Sequence, residues 1–227
     1  MLPGLLVAGA RRGADPWVVA VGWADLDATR ALAPTSRLPA FPATPVVTVG
    51  AVLRLAAKGR LTLEEPANAH LRTVRLADTG VTVGDLPSHS GGIDLAVEPG
   101  AAVVRPLLEV AGPVIASHVD RGGRRFSAGG LATLGQLMAN LTGQPYPVAA
   151  SRLVLEPLGM GCSGFPPTPE EGGSDRLTGY HVGLDGQLHP VEPRVATLAA
   201  ASRLWSTAAD LVRLGIGWSS LLPPSLA

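Results

Sequence analysis

Thr44-Pro45-Val46-Val47-Thr48-Val49-Gly50-Ala51-Val52-Leu53-Arg54-Leu55-Ala56-Ala57-Lys58-Gly59 reads as one helix, and its reading decides the fold. Thr44 is a favoured N-cap, and Pro45 suits the first helical position, where a missing N–H costs nothing. Gly59 is a good C-terminal stop. Apolar side chains (Val46, Val47, Val49, Ala51, Val52, Leu53, Leu55, Ala56) lie nearly all round this helix, so it is expected to be buried. A helix buried on all sides needs neighbours on more than one side, and the flanking sequence supplies them.

On the N-terminal side, Leu5 to Ala10 and Trp17 to Trp23 are apolar runs joined by Arg11-Arg12-Gly13-Ala14-Asp15-Pro16, the pattern of a β-hairpin. Asp25 to Arg30 follows as a polar turn. Pro34, Pro39, Pro42 and Pro45 exclude a regular helix or a central strand over 33–45. On the C-terminal side, Thr82 to Leu86 reads as one helical turn capped by Thr82, and Ser88 to Gly92 as a loop. Residues 103–119 are expected to be helical in part, broken by Pro106 and Pro113. A second clear helix spans about Gly129 to Thr142, with Leu131, Leu134, Met138 and Leu141 on one face and Gly143 as its stop. A third starts near Pro147 and stops before Pro157. Residues 166–175 read as an exposed loop, Tyr180 to Val191 as a hairpin on an Asp185-Gly186 turn, and Ser206-Thr207 as the cap of a last helix through about Leu214.

The 227 residues suffice for one domain, expected to run over 1–227. Its parts would be a hairpin and buried helix over 1–59, a helical lobe over 60–165, and a loop, hairpin and last helix over 166–227. Lys+Arg and Asp+Glu are 18 each, which argues against nucleic acid and against docking on an anionic membrane. The one cysteine, Cys162, allows no intrachain disulfide and is expected to be a small packed side chain. No basic residue precedes the apolar stretch within Met1 to Ala10, and Arg11-Arg12 follow it, the reverse of a signal peptide. No apolar run is long enough to span a bilayer, so a cytoplasmic chain is expected.

Seven segments carry a resemblance. They are Leu2-Pro3-Gly4 opening a strand; Gly22-Trp23-Ala24-Asp25-Leu26; Val52-Leu53-Arg54-Leu55 followed by Gly59-Arg60-Leu61-Thr62-Leu63; Thr82 to Gly92; Thr142-Gly143-Gln144-Pro145-Tyr146; Leu155-Glu156-Pro157-Leu158-Gly159-Met160; and Leu204-Trp205-Ser206-Thr207-Ala208-Ala209-Asp210-Leu211. In this order they resemble the serine β-lactamase and penicillin-binding-protein family, with its class C β-lactamases, D-alanyl-D-alanine carboxypeptidases and related esterases. The resemblance implies an α+β fold, an antiparallel sheet flanked by helices with a helical lobe. Because the chain ends at Ala227, the family's C-terminal strands are expected to be lacking, and the incomplete sheet to invite self-association.

The resemblance also implies a chemistry: a Ser at the start of the buried helix, a Lys three residues on, a Tyr-x-Asn loop and a Lys/His-Thr-Gly strand. Counting back from Val52 places Pro42 at the serine and Pro45 at the lysine. Lys58 is the only lysine, with Leu55 three residues before it, so the chain contains no Ser-x-x-Lys. Pro45 is further expected to delay the helix by about a turn and so remove the turn that would present a nucleophile. Phe126-Ser127-Ala128 stands at Tyr-x-Asn, so Phe126 lacks the hydroxyl and Ala128 lacks the amide. Tyr146 and Tyr180 are followed at that spacing by Val148 and Val182, and the asparagines are Asn68 and Asn140.

His89-Ser90-Gly91 matches by order and neighbours a structural loop of the family. A substitute triad of Asp85, His89 and Ser90 is the alternative, although Leu86-Pro87 interrupts any helix between them and no Gly-x-Ser-x-Gly elbow occurs. Asp25 and Asp27 read as a solvated turn with a metal pair as the alternative, and His70, His118, His181 and His189 lack ligand spacing. Arg121, Arg124 and Arg125 read as a solvated loop, with an anion contact as the alternative. The expectation is a family member without working machinery, without cofactor or metal. Its partner would be a small acyl or peptidoglycan-like ligand. Two alternatives stand beside it: a binding or regulatory module using the residual cleft, and an esterase or amidase rebuilt around His89 and Ser90.

Overall fold

In the computed structural model, which describes residues 2–11, 13–27, 29–95, 105–117, 123–168, 171, 173, 175–191 and 197–223, the N-terminal runs form the expected hairpin. Strands β1 (Gly4–Gly9) and β2 (Trp17–Asp25) pair antiparallel from Gly4↔Gly22 to Gly9↔Trp17. A two-residue strand β3 (Arg30–Ala31), read from the sequence only as the end of a turn, adds to the free side of β2 after a register shift between Trp23 and Asp25. Side chains alternate as a strand demands: Leu6, Ala8, Val18 and Ala20 are half-buried, while Leu5, Val7, Val19 and Val21 are exposed on the opposite face.

The chain already coils before the first long helix. Phe41–Ala43 form a 3-10 turn that runs directly into α1 (Thr44–Ala57). Pro42 sits in that turn and Pro45 in the first turn of α1, so the expected one-turn delay does not occur. The reason is geometric: proline's fixed φ is helical, and the first N–H groups of a helix have no intrahelical partner to lose. Thr44 is likewise not the N-cap. Ala43 holds that place with no side-chain bond, and the Thr44 hydroxyl instead accepts from the Leu204 N–H at 3.0 Å. At the other end Gly59, at φ +64°, closes a Schellman motif: Gly59 N–H donates to Ala56 O (2.8 Å) and Arg60 N–H to Leu55 O (3.0 Å). Val47, Ala51, Val52 and Leu55 of α1 are buried.

Helix α2 (Leu107–Ala111) lies between the two expected breakers Pro106 and Pro113. Helix α3 (Ala128–Thr142) is capped by Ser127, whose Oγ accepts from Gly130 N–H at 2.8 Å, and stops at Gly143 at φ +67°. Its Leu131, Leu134, Leu137 and Met138 are fully buried, each worth about 1.5–3 kcal/mol of transfer free energy. Helix α4 (Tyr146–Ala150) continues as a π turn over Ser151–Leu155 and ends before Pro157, as the proline requires. Short α5 (Ala199–Ser202) precedes α6 (Ala208–Leu221), which Thr207 caps by accepting from Asp210 N–H at 3.3 Å.

Helix α6 outruns its expected end at Leu214. Gly215 and Gly217 each cost a helix about 1 kcal/mol relative to Ala. Packing overrides that propensity. A Cβ on Gly50 of α1 would stand 2.9 Å from the Trp218 ring, so the close crossing of α6 over α1 favours glycine there; one on Gly217 would stand 2.5 Å from Leu158 Cδ2, the end of a side chain that can turn aside. The hairpin sheet lies on α6.

Three short ribbons complete the described structure. β4 (Leu38–Pro39) pairs antiparallel with β9 (Trp205–Ser206), tying the start of α1 to the start of α6. β5 (Arg75–Leu76) pairs parallel with β6 (Val114–Ile115), a contact the sequence pattern did not announce. β7 (Tyr180–Val182) and β8 (Leu188–Pro190) form the expected hairpin, with Gly186 at φ +74° in its turn. One continuous apolar cluster joins α1, α3, α4, α5 and the loops over 61–93. Among the described residues no helix is long and apolar enough to cross a membrane. Cys162 is exposed, not packed, because it sits in the turn after the π segment, where its backbone N–H donates to Asp210 Oδ2 at 2.9 Å.

Candidate functional site

The residues with candidate chemistry collect around the starts of α1 and α3. At α1, Phe41 and Pro42 are exposed and Pro45 is half-buried, and none of the three carries a side-chain donor or acceptor. The neighbouring hydroxyls are committed to structure. Thr48 Oγ1 lies 2.6 Å from Ala200 O, 3.1 Å from Thr44 O and 2.8 Å from Tyr146 Oη. With one proton to give, Thr48 donates to the nearer carbonyl of Ala200 and accepts from the Tyr146 hydroxyl. Burial pushes the Tyr146 phenol far above its ordinary value, so it stays protonated and is no base. Lys58 is exposed at the opposite end of α1, about 20 Å along the helix from Pro45.

At α3, Phe126 is 66 % exposed and packs its ring 5.0 Å from that of His89. Ser127 is buried and spent: besides capping α3, its hydroxyl donates to Ile93 O. Ala128 is the first residue of α3.

The loop over 82–92 places Asp85, His89 and Ser90 near one another without making them a relay. Asp85 Oδ2 accepts from the Thr82 N–H (2.9 Å) and hydroxyl (3.0 Å), and Thr82 Oγ1 accepts from the Asp85 N–H (3.2 Å), a reciprocal capping box. Asp85 Oδ1 accepts from Ser90 Oγ at 2.9 Å, and Ser88 Oγ is 2.8 Å from Ser90 Oγ. His89, at φ +59°, turns toward α3: Nδ1 accepts from the Ser127 N–H at 3.2 Å, and the His89 carbonyl accepts from Arg125 N–H at 3.2 Å. Assigning Nδ1 as acceptor leaves the proton on Nε2. Among the described residues no hydrogen bond joins His89 to Ser90 or Asp85. Burial holds the His89 imidazole below its ordinary pKa, which suits a neutral ring. The hollow bounded by His89, Ile93, Asp94, Arg125 and Phe126 measures 10 Å³, about the space of one water.

The remaining polar candidates are dispersed. Asp25 accepts from the Thr178 hydroxyl (2.5 Å) and from Tyr180 Oη (3.4 Å), while Asp27 is exposed. These bonds moor the β7–β8 hairpin to the end of β2. His70 Nε2 lies 2.8 Å from Glu65 Oε1, and this hydrogen bond, with that from Thr62 N–H, draws the Glu65 carboxyl below its ordinary range. His189 pairs with Asp185 at 2.9 Å, and the His181 ring stands 5.6 Å from that of His189. Among the described residues no three of His, Cys, Asp and Glu gather as a metal site. Arg124 and Arg125 are exposed, Arg125 lying 4.0 Å from Asp94; Arg121 and His118 fall outside the described residues.

One residue the sequence reading passed over is Arg203, only 4 % exposed at the end of α5, with Nε and Nη1 buried and unbonded. A lone cation inside the apolar run Leu198 to Trp205 was the available signal.

Comparison with known proteins gives this geometry its context. The chain is 30% identical over 214 residues to esterase EstB of Burkholderia gladioli, a match covering 85% of this chain and 53% of that protein. It therefore spans about half the length of that curated relative. Among solved structures, the octameric penicillin-binding protein homologue from Pyrococcus abyssi superposes with a TM-score of 0.79 at 21% identity, over 99% of this chain and 55% of that one. A class C β-lactamase from Rhodobacter sphaeroides gives 0.74 at 20% identity, over 99% and 63%. These likenesses bear on the fold, which is the α+β fold of penicillin-binding proteins and class C β-lactamases. The family model for Beta-lactamase matches residues 1–226, and the chain belongs to that family.

Proposed function

We propose that this chain keeps the β-lactamase fold for binding and has given up serine-based acyl transfer. The observation that carries the reading is the occupancy of the start of α1. Pro42 and Pro45 stand where the resemblance puts nucleophile and base, and the sequence's one lysine is at the far end of the same helix. Acyl transfer by a serine needs a base within hydrogen-bond reach of the hydroxyl. Neither proline has a hydroxyl or amine, and Phe126 offers no titratable group to replace them. The rebuilt alternative on the 82–92 loop is disfavoured by its bonding. Ser90 points its hydroxyl at a structural carboxylate, His89 serves the backbone of Ser127, and the adjoining hollow has no room for an acyl substrate.

The hydrolase activity named for the esterase relative is therefore not carried over to this chain. The test is turnover of nitrocefin and p-nitrophenyl butyrate by the purified chain, beside Ser90→Ala. Rates equal to the buffer blank for both proteins support the reading. Saturable turnover that Ser90→Ala abolishes would replace it with the rebuilt hydrolase.

A further inference from the structure

Between α3, α4 and α5 lies a cavity of 340 Å³, bounded by Leu107, Ala132, Ala139, Tyr146, Leu198 and Arg203 among others. That volume falls at the small end of ligand pockets, which run from about 300 to 1,000 Å³. Gly135 also lines it, and a Cβ there would meet Ala200 Cβ at 2.6 Å, so α5 lies directly against α3 at the cavity wall.

Its charged content, among the described residues, is one-sided. Arg203 is buried, and neither Nε nor Nη1 has a hydrogen-bond partner. Arg105 stands at the rim, 58 % exposed and only loosely engaged with Glu109 at 3.8 Å. Among the described residues no Asp or Glu lines the cavity. The buried Tyr146 hydroxyl is already bonded to Thr48, and Gln136 and Thr197 are the other polar side chains on the described wall. A guanidinium does not lose its proton in proteins, so a buried one without an acceptor bears its full desolvation cost. The partner that relieves this cost is an anion able to meet the guanidinium fork, and a carboxylate does so with two parallel bonds. A single buried cation matches a single negative charge. The Leu107, Ala132, Ala139 and Leu198 walls suit an apolar tail behind it.

We propose that this cavity binds a small monocarboxylate with a short apolar tail, its charged end held by Arg203. This goes beyond the reading of the chain as non-hydrolytic and does not depend on it, since the cavity shares no residue with the starts of α1 and α3.

The experiment is calorimetric titration of the purified full chain with hexanoate, with hexanol as the uncharged control and inorganic phosphate as the tail-less anion. Arg203→Leu, Arg203→Lys and Ala139→Phe are titrated alongside. Hexanoate is expected to bind saturably and better than either control. Arg203→Leu should lose about ten- to hundred-fold in affinity, the range for hydrogen bonds to a charged group. Ala139→Phe, which fills the cavity and leaves Arg203 in place, should lose binding as well. Should Arg203→Leu not fold, Arg203→Lys and Ala139→Phe carry the same comparison. Absence of saturable binding, hexanol or phosphate binding as well as hexanoate, or a variant binding as well as the native chain would overturn the proposal.

Discussion

Two polar regions of this molecule are built on opposite terms. In the 82–92 loop and the start of α3 the candidate groups are hydrogen-bonded to their own neighbours: Asp85 to Thr82 and Ser90, His89 to Ser127, and Ser127 to Ile93 and Gly130. At the junction of α3, α4 and α5, Thr48 and Tyr146 satisfy each other, but Arg203 beside them keeps two buried donors unmatched. A polar group that is fully satisfied inside the fold stabilises it and has little left to offer a ligand. An unsatisfied one costs stability and is where a ligand has something to supply. Residue type alone, a His, a Ser and an Asp within six positions, does not distinguish groups bonded to one another from groups left open to a ligand.

Substitutions separate the two regions, the largest effect coming from packing. Gly135→Val is expected to destabilise by about 3 kcal/mol, because a side chain there collides with Ala200 and forces α5 off α3. Urea unfolding measures it, and a cost near zero would mean that the junction is loosely packed. Asp85→Ala should cost about 2 kcal/mol by stranding the Thr82 and Ser90 donors. A catalytic carboxylate with no structural duty would instead be removed at little cost to stability. Ser127→Ala should cost about 1 kcal/mol through the lost cap of α3.

The pH response is smaller and has a definite sign. The folded His89 pKa lies below its ordinary 6.5, so the unfolded chain takes up this proton first as the solution is acidified. Stability should therefore fall as pH drops below about 6.5 and level off once the folded imidazole is also protonated. Glu65 acts in a lower window. Its folded pKa is depressed from 4.5, so its contribution is present above that value and is lost as pH falls through the folded pKa. His89→Asn, which tolerates the left-handed backbone, should flatten the upper window and leave the lower one. An unchanged profile would mean that another group titrates there. Smallest in size and opposite in sign, Arg203→Leu should leave stability unchanged or raise it by up to about 1 kcal/mol, since it removes an uncompensated buried charge. A loss of several kcal/mol would show that Arg203 has a partner within the fold.

Much of the architecture is legible in the residues. The β1–β2 hairpin, α3 with its Gly143 stop, the Pro157 end of the π segment and the Asp185-Gly186 hairpin follow from periodicity and punctuation. What is not legible is set by distant contacts. The length of α6 depends on Trp218 finding Gly50, and the true bonds of Thr44 on Leu204, which lies 160 residues away. The parallel β5–β6 contact leaves no local mark in two-residue strands. At the start of α1 the prolines told what is missing but misled about shape, because two prolines spaced one turn apart fit a helical start as well as they block a helical interior. In the sequence Ser127 shows only as the middle of a degenerate motif; its role as the cap of α3 depends on where α3 begins.

The most direct test of the central claim is intact-mass measurement of the purified, folded chain after prolonged incubation with a fluorescent penicillin. We expect the unmodified mass and no fluorescent band, because the start of α1 carries Pro42 and Pro45 in place of a serine and a lysine. A stoichiometric acyl adduct on a serine would contradict the claim and restore the chain to the acylating members of its family.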